Sequence, residues 1–419
     1  MFEHYKLKNN AQVILVPIDG VKSATVLVMY PVGSRYETNK MAGVSHYVEH
    51  LMFKGTQKRP TTLKLTREID RLGAHYNAFT GKEYTGYYIT TDAKFSDISF
   101  DILSDMLYNS KFDAKEMERE KGPIVEEIRM YKDNPMMNID NVFEDLMYAG
   151  CPLGRDIAGS EKHVLGYQRP DVLKYRETYY QPQNMIVIVA GGISDETKKQ
   201  VEHYFGSGKN NKKPSQKYLP ACFGSAKKED RLFVHKKETD QSQLMLGFPG
   251  FKYGEKQNIA EGVMNTILGG SMSSRLFIQI RERRGLAYMV RSGSDNYRDA
   301  GHVYIRAGLE AKNINKAIAL IKREIEKMVS KGVTKKELED AKTHIRGSLT
   351  LSLEDSSTQA NWYATQALFY DTIHTPEERL LQIEKVTQED IVSVAKQVFD
   401  WNKVRVAIIG NVNKKDVKF

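Results

Sequence analysis

The segment Asp101–Ile128, DILSDMLYNSKFDAKEMEREKGPIVEEI, has a counterpart in Ile318–Ile345, IALIKREIEKMVSKGVTKKELEDAKTHI. Both segments predict a helix, a short break, an N-cap residue and a second helix, with Asp113 and Thr334 as the caps. An arrangement that recurs in each half of a chain indicates an internal duplication. The sequence therefore predicts two related domains.

Strand-like runs surround these helices at matching places in the two halves. Runs of alternating or continuous apolar residues predict strands. They lie at Gln12–Pro17, Ala24–Tyr30 and Met185–Gly192 in the first half, and at Leu232–Lys236, Gln243–Phe248 and Val404–Gly410 in the second. A further helix is expected after each first pair of strands. The expected fold class is α+β, with two tandem homologous domains, each a mostly antiparallel sheet packed with helices.

A polar segment separates the two halves. Gly206–Asp230, GSGKNNKKPSQKYLPACFGSAKKED, has no hydrophobic period and is rich in turn-forming residues. We therefore expect an N-terminal domain at 1–205, a linker at 206–230 and a C-terminal domain at 231–419.

Composition narrows the class of protein. Of the 419 residues, 41% are hydrophobic and 27% are charged, and no stretch approaches the roughly 20 apolar residues that a membrane span needs. No membrane partner is expected, and the absence of a leader pattern at the N-terminus favours a cytoplasmic protein or one already processed. Cys151 and Cys222 are too few for a disulfide framework and are expected to be small, partly buried hydrophobic residues.

The net charge of +9 raises the alternative of nucleic-acid binding. The densest cluster of lysines, Lys209, Lys212, Lys213 and Lys217, lies among the Asn, Ser and Pro residues of the expected linker. Such a composition is more typical of a linker than of a binding surface. No nucleic-acid partner is therefore expected.

The helix expected at Gly43–Gly55 carries a pattern with chemical meaning. Its apolar residues recur at helical spacing and form the buried side, while His46, Glu49 and His50 lie together on another face. Residues four apart on a helix are neighbours, so the two imidazoles can bind one metal ion, and Glu49 reaches the same point. The alternative is a polar face that contains two histidines by chance.

Zinc accepts such neutral nitrogen ligands and, in catalytic sites, keeps one position open for water. It would lower the pKa of that water to about 7, and Glu49 could take the proton as a general base while the water attacks a peptide carbonyl. The order H-x-x-E-H therefore predicts a zinc-dependent peptidase. Manganese or cobalt would also fit such a site.

A third ligand is expected from the helix that opens at Asp113. On a helical wheel Glu127 lies about 60° from the apolar Ile124, whereas Glu126 lies about 160° away on the opposite side. Glu127 therefore faces the interior and is the expected ligand, and Glu120, nearly two turns earlier, can orient a ligand. Pro123 interrupts the hydrogen-bond ladder, so either a kink or a new helix is expected there.

These residues resemble the pitrilysin and mitochondrial-processing-peptidase family of zinc peptidases over essentially the whole chain. The segment GVSHYVEHLMFKGT is similar to that family's active-site helix, and EREKGPIVEEI is similar to its third-ligand segment, with Glu120 and Glu127 at the acidic positions. GAHYNAFT is similar to the family's edge strand that pairs with the substrate backbone. The resemblance assigns substrate binding to Asn77, Ala78 and Phe79.

In the second half, LGGSMSSRLFIQIRERRGLAY is similar to the family's glycine-rich loop and the helix that follows it. The resemblance implies that Arg281 and Tyr288 bind the substrate and take part in catalysis, where a cation and a phenol can hold the developing oxyanion. For Arg281 the alternative is a solvated helix face. Aligning the halves puts Glu261, Met264 and Asn265 opposite the zinc motif and Ser348 opposite Glu127, so the second half is not expected to bind zinc.

The family resemblance also sets expectations for assembly. It implies an endopeptidase that takes extended peptides into a clam-shell chamber, with one Zn²⁺ per chain. At this length the chain is similar to the short branch, whose chamber closes by dimerisation, and a homodimer is expected. A non-catalytic structural or binding member of the same family is the alternative, although such members typically lose motif residues that this chain keeps. The substrate's identity cannot be read from a linear motif.

Overall fold

The protein contains two β-sheets, one in each half, in a computed structural model that describes residues 2–208, 217–225 and 227–419. The first sheet has the order β1-β2-β6-β3-β5-β4 and the second β7-β11-β8-β10-β9. The strands are β1 (Glu3–Lys6), β2 (Gln12–Pro17), β3 (Ser23–Tyr30), β4 (His75–Thr80), β5 (Thr85–Asp92), β6 (Ile186–Gly191), β7 (Leu232–Lys236), β8 (Ser242–Pro249), β9 (Ala287–Asn296), β10 (Gly301–Leu309) and β11 (Arg405–Gly410).

All neighbouring strands are antiparallel except two pairs, β2 with β6 and β7 with β11. The helices are α1 (Val44–Met52), α2 (Thr62–Asp70), α3 (Ser96–Asn109), α4 (Ala114–Asp133), α5 (Pro135–Met147), α6 (Glu161–Gly166), α7 (Arg169–Tyr179), α8 (Thr197–Phe205), α9 (Gln257–Gly269), α10 (Ile314–Lys331), α11 (Lys335–Ser352), α12 (Ser356–Phe369), α13 (Pro376–Glu384) and α14 (Gln388–Val398). The predicted α+β class, with two mostly antiparallel sheets, is confirmed.

The first sheet is apolar on both faces, so each face requires cover. Along β3, Val26 and Val28 join one core cluster, whereas Leu27 and Met29 join another. This division follows from the period of two in a strand, which sends successive side chains to opposite faces. The first face is covered by helices that include α1 and α3.

The second face of each sheet is covered by a helix from the other half of the sequence. Helix α12 packs against β3 and β6, and its Ala360 and Leu368 lie in the cluster that contains Leu27. Helix α5 packs against β8 and β11, and its Phe143 lies in the cluster that contains Met245. A sheet that is buried on both faces is stabilised by such two-sided packing.

The chain consequently forms two compact units that are not contiguous in sequence. One consists of Met1–Arg129, Arg155–Leu219 and Leu351–Ile373, and the other of Met130–Gly154, Pro220–Thr350 and His374–Phe419. The contiguous domains expected at 1–205 and 231–419 differ from this division because of the two exchanged helices. Within the expected linker at 206–230, residues 209–216 and 226, and with them Lys209, Lys212 and Lys213, lie outside the described residues.

The local predictions agree closely with the observed elements. The repeated segments correspond to α3 with α4 and to α10 with α11. Thr334 caps α11 in a capping box with Glu337, whose backbone N–H donates to the Thr334 hydroxyl at 3.1 Å. Pro123 lies inside α4, which continues from Ala114 to Asp133 as one helix and does not restart at the proline.

None of the helices in the described parts of the chain is long and apolar enough to cross a membrane.

Cys151 and Cys222, far apart in sequence, are partly buried free thiols that lie side by side. The backbone nitrogen of Cys222 lies 3.2 Å from the Cys151 sulfur.

Candidate metal centre

Helix α1 has an apolar side and a polar side, as its sequence predicts. Tyr47 and Leu51 are buried in the core of the first unit. His46, Glu49 and His50 are partly buried on the opposite side. The helical period therefore presents three polar side chains together while the rest of the helix is held by packing.

Helix α4 brings Glu127 to these histidines. Its Oε2 atom lies 3.7 Å from Nε2 of His46 and 3.5 Å from Nε2 of His50. Glu126 points away, is 71% exposed and pairs with Arg129 at 2.7 Å. The continuous α4 helix thus aims Glu127, rather than its neighbour, at the two imidazoles.

The three side chains form a group with the geometry of a metal site. Each of His46, His50 and Glu127 offers one potential ligand atom, and these three atoms lie within 4.8 Å of one another. Ligand atoms at about 2 Å from a tetrahedral zinc ion lie roughly 3.3 Å apart, close to the two separations from Glu127. Two neutral nitrogens and one carboxylate are also the donors of many catalytic zinc sites. The residues therefore fit zinc.

Glu120 lies behind His50. Its Oε1 atom is 2.9 Å from Nδ1 of His50, and its Oε2 atom is 2.5 Å from Nζ of Lys54. Burial would raise the pKa of Glu120, but the hydrogen bonds to His50 and Lys54 outweigh it and hold the pKa below its usual value. An ionised Glu120 can only accept, so Nδ1 of His50 carries a proton, and Nε2 is the ring nitrogen left to face a metal.

The two histidines differ in electrostatics when no metal is bound. Burial, together with the charge of His50, lowers the pKa of His46 to about 4. Burial alone would also lower the pKa of His50, but hydrogen bonds to Glu120 and Glu127 and the nearby carboxylate charges raise it to about 9. At neutral pH His46 is therefore neutral, and a positive charge resides on His50 beside Glu127. The carboxylates of Glu49, Glu120 and Glu127 thus favour a positive charge at this position.

Glu49 stands beside the metal group without belonging to it. Its Oε2 atom accepts a short hydrogen bond from the hydroxyl of Thr80 at the end of β4. Burial raises the pKa of Glu49, while the Thr80 hydrogen bond and the charge of His50 act in the opposite direction. A carboxylate with a raised pKa is a stronger base than a solvated one.

Strand β4, which carries Asn77, Ala78 and Phe79, forms the edge of the first sheet. It pairs with β5 on one side, and no further strand of the described chain follows it in the sheet. The edge leaves backbone groups that no strand pairs, and an extended peptide could bind them, with the Ala78 N–H exchanging its present acceptor, Oδ1 of Asn77 at 2.9 Å. Helix α1 packs against this strand, so the edge and the metal group are neighbours.

Arg281 and Tyr288 lie together in the second unit. The Arg281 guanidinium is 5.3 Å from the centroid of the Tyr288 ring and 4.9 Å from that of Phe277. Tyr288 is 69% exposed on β9. An exposed phenol beside a cation can donate to a carbonyl oxygen.

Two side chains around the metal group, Lys54 and Thr80, were not predicted from the sequence. Lys54 lies four residues after His50, a helical spacing that could have indicated its approach to Glu120. Thr80 belongs to the same face of β4 as the buried Ala78, so the alternation of the strand could have indicated that it faces α1. Neither signal identifies the partner, because Glu120 and Glu49 come from other elements.

Two family models match the chain. Residues 13–161 match the insulinase family, peptidase family M16. Residues 167–345 match the peptidase M16 inactive domain. The first match contains His46, His50 and Glu127, and the second contains helix α9 with Glu261 and Asn265.

Relatives and solved structures agree with these matches. An uncharacterized zinc protease of Bacillus subtilis, YmxG, is 34% identical to this chain. The alignment covers 98% of this chain and all of YmxG. An uncharacterized zinc protease of Streptomyces coelicolor, SCO5738, is 31% identical to this chain. That alignment covers 98% of this chain and 89% of SCO5738. A protease from Helicobacter pylori has the same fold, with a TM-score of 0.91 at 24% identity over 98% of this chain and 99% of that one.

Proposed function

Starting from the fact that this chain belongs to peptidase family M16, of the pitrilysin type, we propose that it is a zinc-dependent endopeptidase acting on short or unfolded peptides. The observation that carries the proposal is the approach of Glu127 to both His46 and His50, with the carboxylate of Glu49 beside them. This combination provides both a metal site and a base, which a purely structural member does not need.

His46, His50 and Glu127 would hold the ion through Nε2, Nε2 and a carboxylate oxygen. Zinc would supply Lewis-acid polarisation and lower the pKa of water to about 7. Glu120 keeps the ring of His50 oriented through Nδ1. His46 is already neutral at pH 7, since burial lowers its pKa to about 4, so this ligand does not need to lose a proton.

Glu49 is the proposed general base. It takes a proton from the attacking water and passes it to the leaving amine, a role that requires a carboxylate whose pKa lies nearer to the working pH. The burial that raises the pKa of Glu49 supports this assignment. The Thr80 hydroxyl, which donates to Oε2, restricts the orientation of the carboxylate.

Strand β4 is the proposed binding edge for the peptide. A substrate in extended conformation would add to the sheet next to β4, with backbone hydrogen bonds along Asn77, Ala78 and Phe79. Recognition through the backbone favours segments free of secondary structure, because a folded chain has already paired these groups. This edge supports a preference for short or unfolded peptides over native proteins.

We further propose that Arg281 and Tyr288 bind the substrate carbonyl during the reaction. Their mutual contact and the exposure of Tyr288 support a shared role. The family resemblance of the short branch supports a homodimer with one zinc ion per chain. The cytoplasmic location expected from the sequence stays a prediction.

The experiment that tests the function is cleavage of a peptide library by the purified protein, with and without a chelator and after zinc is added back. We expect cleavage that the chelator abolishes and zinc restores. Cleavage that persists at full rate in the chelator would refute the zinc mechanism. Stoichiometric zinc binding without cleavage of any peptide would favour the non-catalytic alternative.

A further inference from the structure

Helix α1, which carries both histidines, has no cap of its own. It begins after Gly43, whose φ of 93° lies in the left-handed region and which has no side chain to act as an acceptor. A Cβ atom at Gly43 would lie 2.3 Å from the Ala158 backbone oxygen, so another residue does not fit there. The first backbone N–H groups of the helix must therefore find acceptors elsewhere.

Glu37, a buried residue from the preceding segment, provides these acceptors. Its Oε2 atom accepts from the Gly43 N–H at 2.7 Å, and its Oε1 atom accepts from the Ser45 N–H at 2.7 Å. The residue is only 5% exposed. One carboxylate thus binds two donors at the start of the helix, where the helix dipole also favours a negative charge.

The position of His46 makes this cap relevant to the metal. Helix α1 runs only from Val44 to Met52, and His46 is its third residue. Short helices open first at their ends, and a ligand in the first turn moves when that turn opens. His50, in the last turn, is held separately by Glu120.

We propose that Glu37 is a positioning residue that holds the first turn of α1 so that His46 is preorganised for zinc. This inference rests on the proposed zinc site but concerns a residue that touches neither the metal nor the substrate. The observation that carries it is the double hydrogen bond from one buried carboxylate to the backbone on either side of Val44.

The surroundings of Glu37 show that its burial is costly. Burial raises the pKa of its carboxyl group to about 7, against the hydrogen bonds from Ser45 and Gly43 and the charge of Arg155. The Arg155 guanidinium itself donates to the Glu37 backbone oxygen at 3.0 Å. A buried acid whose carboxylate serves backbone donors is retained at a cost in stability, which is expected where a site must be rigid.

Glu37→Gln tests the inference. The amide oxygen can accept from one N–H, but the amide NH₂ cannot accept from the other. We expect zinc affinity, measured by chelator competition well below the unfolding temperature, to fall roughly 10–100-fold, as for other residues that orient a ligand. In the metal-free protein, hydrogen exchange of the peptide covering α1 should become faster.

Glu261→Gln is the matched control. Glu261 is also a buried glutamate, 1% exposed, whose pKa burial raises to about 7, but it lies in the second unit on α9. Its substitution should leave zinc affinity and exchange in α1 unchanged. A general effect of removing a buried carboxylate would lower zinc affinity in both variants and overturn the inference.

The outcomes separate this inference from the proposed function. Failure of the wild-type protein to bind zinc would refute the proposed site itself. Normal zinc binding by the wild type and by a folded Glu37→Gln variant would overturn the role of Glu37 alone. If Glu37→Gln does not fold, Glu37→Asp replaces it: the shorter side chain cannot reach both donors, and unchanged zinc affinity in that variant would equally overturn the inference.

Discussion

Nδ1 of His50 lies 2.9 Å from Oε1 of Glu120, while Nε2 of the same ring faces Glu127 at 3.5 Å. Each nitrogen of the imidazole ring therefore has one carboxylate beside it, and the two carboxylates act differently. Glu120, also bound to Lys54, fixes the proton on Nδ1. Glu127 and Nε2 together face the proposed metal position.

The first prediction concerns Glu120. In Glu120→Gln, zinc affinity should fall roughly 10–100-fold, because the side chain loses its charge and its single amide oxygen cannot accept from both His50 and Lys54. Competition with a chromophoric chelator measures the change. Glu118→Gln is the control, since Glu118 lies on the same helix, is 73% exposed and pairs only with Lys121 among the described ion pairs. Equal losses in both variants would contradict the prediction.

The second prediction separates Glu127 from its neighbour. Glu127→Gln replaces a carboxylate ligand with a weak amide donor, so zinc affinity should fall by more than the roughly 100-fold expected for a residue that only orients a ligand. Glu126→Gln, an identical change at an exposed position, should bind zinc like the wild type. Metal content after dialysis, measured by mass spectrometry, distinguishes them. A larger loss in Glu126→Gln would mean that α4 is rotated.

The third prediction concerns Glu49. In Glu49→Gln, kcat for peptide hydrolysis should fall about 10²–10⁴-fold because no base takes the proton from water. Zinc stoichiometry should stay unchanged, since Glu49 is not a ligand. Peptide cleavage and metal content are measured on the same preparation. Full activity in the zinc-loaded variant would exclude Glu49 as the base.

The fourth prediction concerns the pair in the second unit. Tyr288→Phe should lower kcat roughly 10²-fold, through loss of one donor to the developing oxyanion, without changing zinc affinity. Arg281→Lys should also reduce kcat, because a lysine cannot reproduce the planar guanidinium. Arg283→Lys, at an exposed position of the same segment, is the control. If it matches Arg281→Lys, the effect comes from general charge.

The fifth prediction concerns pH and stability. Burial raises the pKa of Glu261 from 4.5 to about 7. Between these values the folded state holds more protons than the unfolded state, so the stability of the second unit falls as pH rises from about 4.5 to about 7. The shift corresponds to a cost on the order of 3 kcal/mol above pH 7.

Glu261→Gln should remove this dependence. Urea unfolding at pH 5 and pH 8, in a Trp362→Phe background, uses Trp401, the remaining one of two tryptophans, as a probe in the second unit. The loss of unfolding free energy between the two pH values should be smaller in the variant than in its parent. An unchanged loss would show that Glu261 does not titrate in this range.

The local elements of this protein were predictable because their signals lie in neighbouring residues. Strands β2 and β7 have the expected bounds, and the helical period separates the buried side of α1 from His46, Glu49 and His50. The same period distinguishes Glu127 from Glu126. Alternation and helical spacing follow from backbone geometry alone, so they can be read without knowledge of the fold.

The tertiary structure decided which of these elements meet. An apolar face indicates that a helix or strand is buried but not against what, so the packing of α12 on the first sheet and of α5 on the second was not predictable. The contacts of Glu37 with the start of α1, of Thr80 with Glu49 and of Glu120 with Lys54 likewise join separate elements. Sequence determined the proposed ligands and the helix faces that carry them; only long-range packing, which depends on the shape of the whole core, set the partners that orient them.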